Sequence, residues 1–193
     1  MRIDDIPADS YVAKVLWQEA AQDPWVLAPE DGTHINVSHN GWVELEFGVI
    51  DAAVKSWFYH GNCVALAQAM HARTNLPIAI VRCHPHPPFD NAFTHALLRL
   101  PNGELLDING CHQESEVLAQ WQQESQQEVW LEEMSLLDVT EIAGHINEMP
   151  AVERMVSKHF ADLALIAHDL LPGPWWELPD YEVKIPAEIS PQH

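Results

Sequence analysis

Three residues of complementary chemistry lie in the middle of the 193-residue chain: Cys63, His95 and Asp107, in that order and separated by 32 and 12 positions. A thiol beside an imidazole acts as a nucleophile because the imidazole takes its proton, and a carboxylate orients and charges the imidazole. Asp107 lies inside the apolar run Leu105–Ile108, where an unpaired charge is costly and a partner is expected. Together the three residue types indicate a Cys-His-Asp triad.

The nucleophile candidate falls on a predicted helix. Apolar residues recur at helical spacing from Asn62 to about Arg73, after the opening His60-Gly61-Asn62. Cys63 is predicted to lie in the first turn, where unpaired backbone N–H groups and the positive end of the helix dipole favour the thiolate. The same N–H groups are suited to form part of an oxyanion hole.

His95 and Asp107 fall on the two strands of a predicted β-hairpin. The turn contains Asn102-Gly103, the strongest short-range hairpin signal when it lies between two apolar runs. With a two-residue turn, residues whose numbers sum to 205 face each other, so Asp107 lies opposite Leu98 and on the face away from His95. A bulge or a longer turn shifts the register by one residue and reverses the faces. The triad therefore requires an irregularity in this hairpin.

The same region carries a series of short motifs. In chain order they are Gly61-Asn62-Cys63, Leu66-Ala67, Asn75-Leu76-Pro77, His95-Ala96 and Leu106-Asp107. Their order and spacing resemble the core of the transglutaminase-like branch of the papain-like cysteine enzymes, over about residues 57–110. There are two departures: Ala96 stands where the family often has Trp, and no glutamine lies at the papain-like distance before Cys63.

The resemblance implies a role for each residue of the triad. Cys63 is the implied nucleophile, His95 the general base and later the acid, and Asp107 the group that orients the imidazole. The implied reaction is attack on an amide or related acyl group, giving a thioester that water or an amine resolves. Because this branch contains proteases, amidases, deamidases and transglutaminases, we expect a cysteine hydrolase or acyltransferase that uses no cofactor and acts on a protein or peptide.

Residues near the predicted nucleophile and on the flanking loops are candidates for an oxyanion hole or a substrate cleft. The loop Cys83–Phe93 is expected to hang over the site, and the segment after the hairpin to line its other side. The candidates are Asn62, His60, Trp57, His84, His86, Phe89, Cys111 and His112.

Two alternatives compete with the triad. Cys63 alone, on an apolar helix, is typical of a small buried hydrophobe, and only its companions favour catalysis. Cys83-His84-Pro85-His86, with Cys111-His112 nearby in the proposed fold, is a rival constellation for zinc. Structural zinc sites usually separate paired ligands by two or more residues, and prolines constrain this loop, so we predict no metal site.

Charge excludes some functions and leaves another open. With 9 basic and 29 acidic residues the formal net charge is −20, which repels phosphate backbones and anionic lipids and so disfavours nucleic-acid and membrane partners. No Lys or Arg occurs from Leu100 to Glu153. This stretch is either a solvated acidic face or a docking surface for a basic partner. The alternative function is therefore a catalytically silent acidic binding protein on the same fold.

The predicted architecture is a single α+β domain over residues 1–193 with a papain-like core at about 57–110. A nucleophile helix packs on an antiparallel sheet, with extra helices at both ends: one at 9–21, another at about 151–171. A Gln- and Glu-rich exposed helix is predicted at 113–127, and strands are predicted at 42–47 and 128–131. An extended Pro- and Trp-rich tail covers 172–193. Three irregularly spaced cysteines without CxxC, no secretory leader and no long apolar run predict a cytoplasmic location.

Overall fold

Two antiparallel sheets and five α-helices make up the computed structural model, which describes residues 26–27, 34–38, 42–46, 48–84, 93–146, 149 and 151–171. The strands are β1 (Val26–Leu27), β2 (His34–Ser38), β3 (Trp42–Glu46), β4 (Ile78–Cys83), β5 (Phe93–Arg99), β6 (Leu105–Asp107), β7 (Gly110–His112) and β8 (Val129–Met134). The helices are α1 (Ala52–Trp57), α2 (Cys63–Thr74), α3 (Glu114–Ser125), α4 (Leu136–Ala143) and α5 (Ala151–Ala167), with a π-helical segment at Phe58–Asn62.

The larger sheet carries the predicted hairpin. Its strand order is β7-β6-β5-β4-β8, and each neighbouring pair is antiparallel. The smaller sheet has the order β1-β2-β3. The predicted α+β class with a helix packed on an antiparallel sheet is confirmed.

Helices cover both faces of the larger sheet, and this decides where the candidate residues point. Leu98 belongs to the core cluster that contains buried residues of α2 and α5. Leu97 and Leu105 belong to a second cluster with residues of α3. Side chains alternate along a strand, so His95 and Asp107 share the face of Leu97 and Leu105 and lie under α3.

The hairpin turn has three residues, Pro101–Gly103, and the predicted two-residue turn was wrong. The Leu100 N–H donates to the Glu104 carbonyl at 2.8 Å, so the last pair before the turn is Leu100 with Glu104 and not Pro101 with Glu104. Gly103 has φ +88°, the left-handed conformation that ends a three-residue loop built on a type I turn. Its N–H donates to the Leu100 carbonyl at 2.9 Å.

This longer turn supplies the irregularity that the triad requires. The observed pairs are Leu98 with Leu106 and Arg99 with Leu105, one residue away from the predicted register. If this pairing is continued by one more pair of residues, Asp107 lies opposite Leu97. It is then two residues away from His95 and on the same face of the sheet. A diagonal neighbour on one face is within reach of a histidine side chain.

Cys63 does not lie at a free helix N-terminus, contrary to the prediction. Although α2 begins at Cys63, the π-helical segment Phe58–Asn62 and α1 precede it without a break. Only Asn62, at φ −106° and ψ 15°, departs from helical backbone, and its side chain makes no capping bond. Preceding turns of helix fill the space where free N–H groups were expected, so the helix dipole stabilises a Cys63 thiolate less than predicted. The end of α2 is regular, with Asn75 at φ 56° and its N–H on the His71 carbonyl.

Other predicted elements have mixed outcomes. The exposed helix at 113–127 is α3, the strand at 128–131 extends through β8, and the helix at 151–171 ends at Ala167. The strand predicted at 42–47 is β3, whereas β2 and α4 were missed. The predicted N-terminal helix at 9–21 and the tail at 172–193 lie outside the described residues. Across the described ranges, no helix has both the length and the apolar character needed to cross a membrane.

Candidate active site

His95 and Asp107 form a buried ion pair on the α3 face of the sheet. His95 Nε2 donates to Asp107 Oδ2 at 2.8 Å, and the two residues are 1% and 4% exposed. The other carboxylate oxygen accepts the Asn109 N–H at 2.7 Å and lies 3.4 Å from His112 Nε2. Burial raises the pKa of Asp107, but the hydrogen bonds from His112 and His95 outweigh it and hold the pKa well below its usual range.

The Cys63 thiol acts on the same imidazole. Burial lowers the pKa of His95, but the hydrogen bond and charge of Asp107, together with the Cys63 thiol, raise it to about 9. Since Asp107 occupies Nε2, Nδ1 is the ring atom left for the thiol. Nδ1 is buried and has no hydrogen-bond partner among the described residues. Catalytic hydrogen bonds are often long or unformed in enzymes without substrate.

Two aromatic rings cover the imidazole on the α3 side. Trp121 stacks on His95 with ring centroids 5.1 Å apart and planes at 29°, and Tyr59 lies 5.1 Å from the same ring. Tyr59 and Trp121 also stack on each other at 5.0 Å. The Tyr59 hydroxyl donates to Glu124 at 2.9 Å, and burial with this carboxylate raises the pKa of the phenol. Tyr59 and Trp121, the aromatic cover of His95, therefore connect the π-helical segment to α3.

A cavity of about 400 Å³ opens beside this cluster. His95, Asp107, Tyr59 and Trp121 are among the residues that line it. The remainder of the lining is Lys55, Ser56, Leu97, Asn109, His112, Val117 and Gln120. Cys63 is 5% exposed and does not line the cavity. The space therefore gives a ligand access to the imidazole and its carboxylate, but not to the thiol.

Among the residues predicted around the nucleophile, Asn62 and Trp57 lie close together. Both are buried, and the Asn62 side chain amide donates to the Trp57 carbonyl at 3.4 Å. The backbone of His60 belongs to the π-helical segment, and its side chain lies outside the described part of the structure. The structure thus places Asn62 and Trp57 beside the nucleophile but not in the cavity lining.

The candidates predicted on the loop 83–93 and after the hairpin lie in different parts of the molecule. His84 is exposed, 3.7 Å from Glu128 and next to Trp130, away from the triad. His86 and Phe89 lie outside the described residues. His112 lines the cavity and its Nε2 lies 3.4 Å from Asp107, whereas Cys111 pairs with His168, its Sγ 3.3 Å from Nδ1.

The ligands of the rival zinc constellation point to different neighbours. Cys83 is buried at the end of β4 and His84 faces Glu128, whereas Cys111 faces His168 and His112 faces Asp107. Burial and the charges of Glu104 and Asp107 raise the pKa of Cys111, which disfavours its thiolate. No group of three or more His, Cys, Asp or Glu suited to a metal ion occurs among the residues described.

Sequence reasoning missed the aromatic cover and most of the polar lining. Tyr59 lies one turn before Cys63, and its proximity to the nucleophile was the available signal. Trp121 lies in the helix predicted to be exposed, where Val117, Leu118 and Trp121 recur at helical spacing and indicate a buried stripe. Lys55 and Gln120 carry no sequence signal for this role.

Comparison of the chain with protein-family models, with curated proteins and with solved structures finds no match.

Proposed function

We propose that this chain is a cysteine-dependent hydrolase or acyltransferase of amide bonds, built on a papain-like core of the transglutaminase-like kind. One observation carries the proposal: the buried imidazole of His95 is held by Asp107 at 2.8 Å, and its other nitrogen, Nδ1, is buried without a hydrogen-bond partner among the described residues. The Cys63 thiol is one of the groups that raise the pKa of this imidazole. A nucleophile, a base and a group that orients the base are the parts that acyl transfer through a thioester needs.

In the first half-reaction, the Cys63 sulfur attacks the carbonyl carbon of an amide after its proton passes to His95. A carbon–sulfur bond forms, and the tetrahedral intermediate collapses as His95 returns the proton to the leaving amine and the carbon–nitrogen bond breaks. In the second half-reaction, His95 takes a proton from water or an acceptor amine, which attacks the thioester and releases the thiol.

The electrostatics of the pair suit these proton transfers. Asp107 stays ionised at neutral pH and stabilises the imidazolium, and the pKa of about 9 keeps His95 charged until the leaving amine needs its proton. Tyr59 and Trp121 exclude water from the ring, which strengthens the ion pair. Because Cys63 is 5% exposed, turnover requires a movement that brings the thiol into contact with the cavity.

The acidic binding-protein alternative has weaker support, because structural roles account for much of the described acidic surface. Glu132 and Glu133 lie on β8, an edge strand of the larger sheet, and their ion-pair partners are Arg82 and Arg99. Charged side chains on an edge strand prevent pairing with another sheet.

The decisive experiment compares the alkylation of two equally buried thiols. Cys63 and Cys83 are each 5% exposed, so iodoacetamide labelling followed by mass spectrometry tests the environment rather than the exposure. We expect Cys63 to react at least about tenfold faster than Cys83 near pH 7. The C83A variant serves as control and should keep this reactivity, whereas H95Q should abolish it.

A second readout connects the thiol to chemistry. Wild-type protein, C63S and C83A are incubated with a panel of peptide amides, and released ammonia or amine is measured. Turnover by wild type and C83A but not by C63S is expected. Equal, slow labelling of all three cysteines together with no turnover would overturn the enzyme proposal and favour a binding protein.

A further inference from the structure

The cavity beside the candidate triad has an uncompensated positive charge. Among the described residues that line it, Asp107 is the only acidic one, and three donors already surround its carboxylate: His95, Asn109 and His112. Lys55 is the only Lys or Arg in this described lining. The carboxylate is thus neutralised inside the cluster, and the lysine charge remains.

Lys55 is available to a ligand. Its ammonium makes no hydrogen bond or ion pair with any residue in the described ranges, and its side chain is half-buried in the cavity wall near the end of α1. Two acidic groups on α3 have other partners: Glu124 accepts from Tyr59 and Gln120, and Glu116 accepts the Gln113 N–H. An unpaired cation is conspicuous in a chain of net charge −20.

We infer that this cavity binds substrates that carry a carboxylate close to the reacting amide, with that carboxylate at Lys55 and the acyl carbon directed toward His95 and Cys63. The inference rests on the proposed function and adds its substrate class. A volume of about 400 Å³ suits a compact group such as a single amino-acid residue. Fitting ligands include a free amino acid that carries a side-chain amide, or a residue at the carboxyl end of a peptide.

Charge gives this selectivity a physical basis. The acidic surface elsewhere on the protein repels an anionic substrate, whereas the positive charge of Lys55 attracts such a substrate into the cavity. Asn109 adds a side-chain amide that can donate to a carboxylate or carbonyl oxygen, whereas the Gln120 amide already donates to Tyr59 and Glu124. Trp121 offers an apolar wall for the stem of the ligand.

The test uses two small reagents that differ only in charge. Iodoacetate carries a carboxylate, while iodoacetamide is neutral, and both transfer their methylene carbon to a thiolate as iodide leaves. The ratio of the two rate constants at Cys63, divided by the same ratio at Cys111, measures the preference for the anion. It is determined by mass spectrometry for wild type, K55M, K55R and K158M, whose thermal unfolding is compared first.

We expect the normalised ratio to fall about three- to tenfold in K55M, and to be retained in K55R. K158M removes the same charge from an exposed site on α5 that does not line the cavity, and its ratio should equal that of wild type. An unchanged ratio in K55M, or an equal fall in K158M, would overturn the carboxylate inference while leaving a reactive Cys63 in place. If Cys63 reacts with neither reagent, the proposed function fails as well.

Discussion

Replacing Asp107 with asparagine tests the buried ion pair on which the proposed chemistry rests. The substitution keeps the shape of the side chain but removes the charge opposite His95 Nε2. In the folded protein the pKa of His95 is about 9, whereas the ordinary value is 6.5. At 1.36 kcal/mol per pH unit, this difference corresponds to about 3 kcal/mol of folding free energy.

The sign follows from linkage. Because the folded state holds the proton more tightly, this stabilisation is fully present below pH 6.5 and is lost as the pH rises to about 9. Without the carboxylate the strongest cause that raises the pKa disappears, while burial still lowers it. D107N should therefore destabilise the protein by about 3 kcal/mol more at pH 6 than at pH 10.

Urea unfolding of wild type and D107N at pH 6, 7.5 and 10 measures this difference. A matched control is D162N, since Asp162 is also buried and pairs with Arg73 at 3.0 Å. Burial raises the pKa of Asp162 to about 6, against the opposing effect of Arg73, so its loss should cost the same at pH 7.5 and pH 10. If D107N showed no more pH dependence than D162N over that range, the pair would not hold His95 charged.

Three further predictions concern the aromatic cover of His95, the hairpin turn at Gly103 and the proton on His95. W121A should raise the alkylation rate of Cys63 several-fold while lowering the free energy of unfolding by about 2–3 kcal/mol; an unchanged rate would show that this ring does not limit access. G103A should destabilise the protein by about 1–2 kcal/mol in urea unfolding, because its φ of +88° is strained for alanine; a neutral effect would contradict the assigned turn. Turnover of an amide substrate should decline as the pH rises through about 9, where His95 loses the proton that the leaving amine needs; a rate still rising at pH 10 would exclude His95 as the acid.

The hairpin shows which features of the site can be predicted from the sequence and which cannot. Asn102-Gly103 predicts a hairpin correctly, but the same letters fit a two-residue and a three-residue turn. The alternatives differ by one residue of register, and hence by the face on which Asp107 lies. Pro101 was the distinguishing signal, since proline is favoured in the second position of a type I turn. The Leu100–Glu104 hydrogen bond shows that this alternative is the one adopted.

The cavity was beyond sequence reasoning for a different reason. Its wall combines α1, the π-helical segment, β5, β6 and α3. Lys55 and Gln120 come together only because α3 packs across the hairpin, and neither residue has a local pattern that indicates this contact. Residue type and spacing selected Cys63, His95 and Asp107 as candidates, whereas the surroundings that would determine their reactivity depend on packing.

The π-helical segment also determines how the chain before Cys63 responds to a change of length. A π turn holds about one residue more than an α turn, so the five residues Phe58–Asn62 rotate the chain about as far as four residues of regular helix. Removing one residue here therefore allows regular helix through the junction with little rotation of α1 relative to α2. Removing one residue from regular α-helix instead rotates everything before it by about 100°. The wide turn is thus a place where the chain can lose a residue and keep the angle between Lys55 and Cys63.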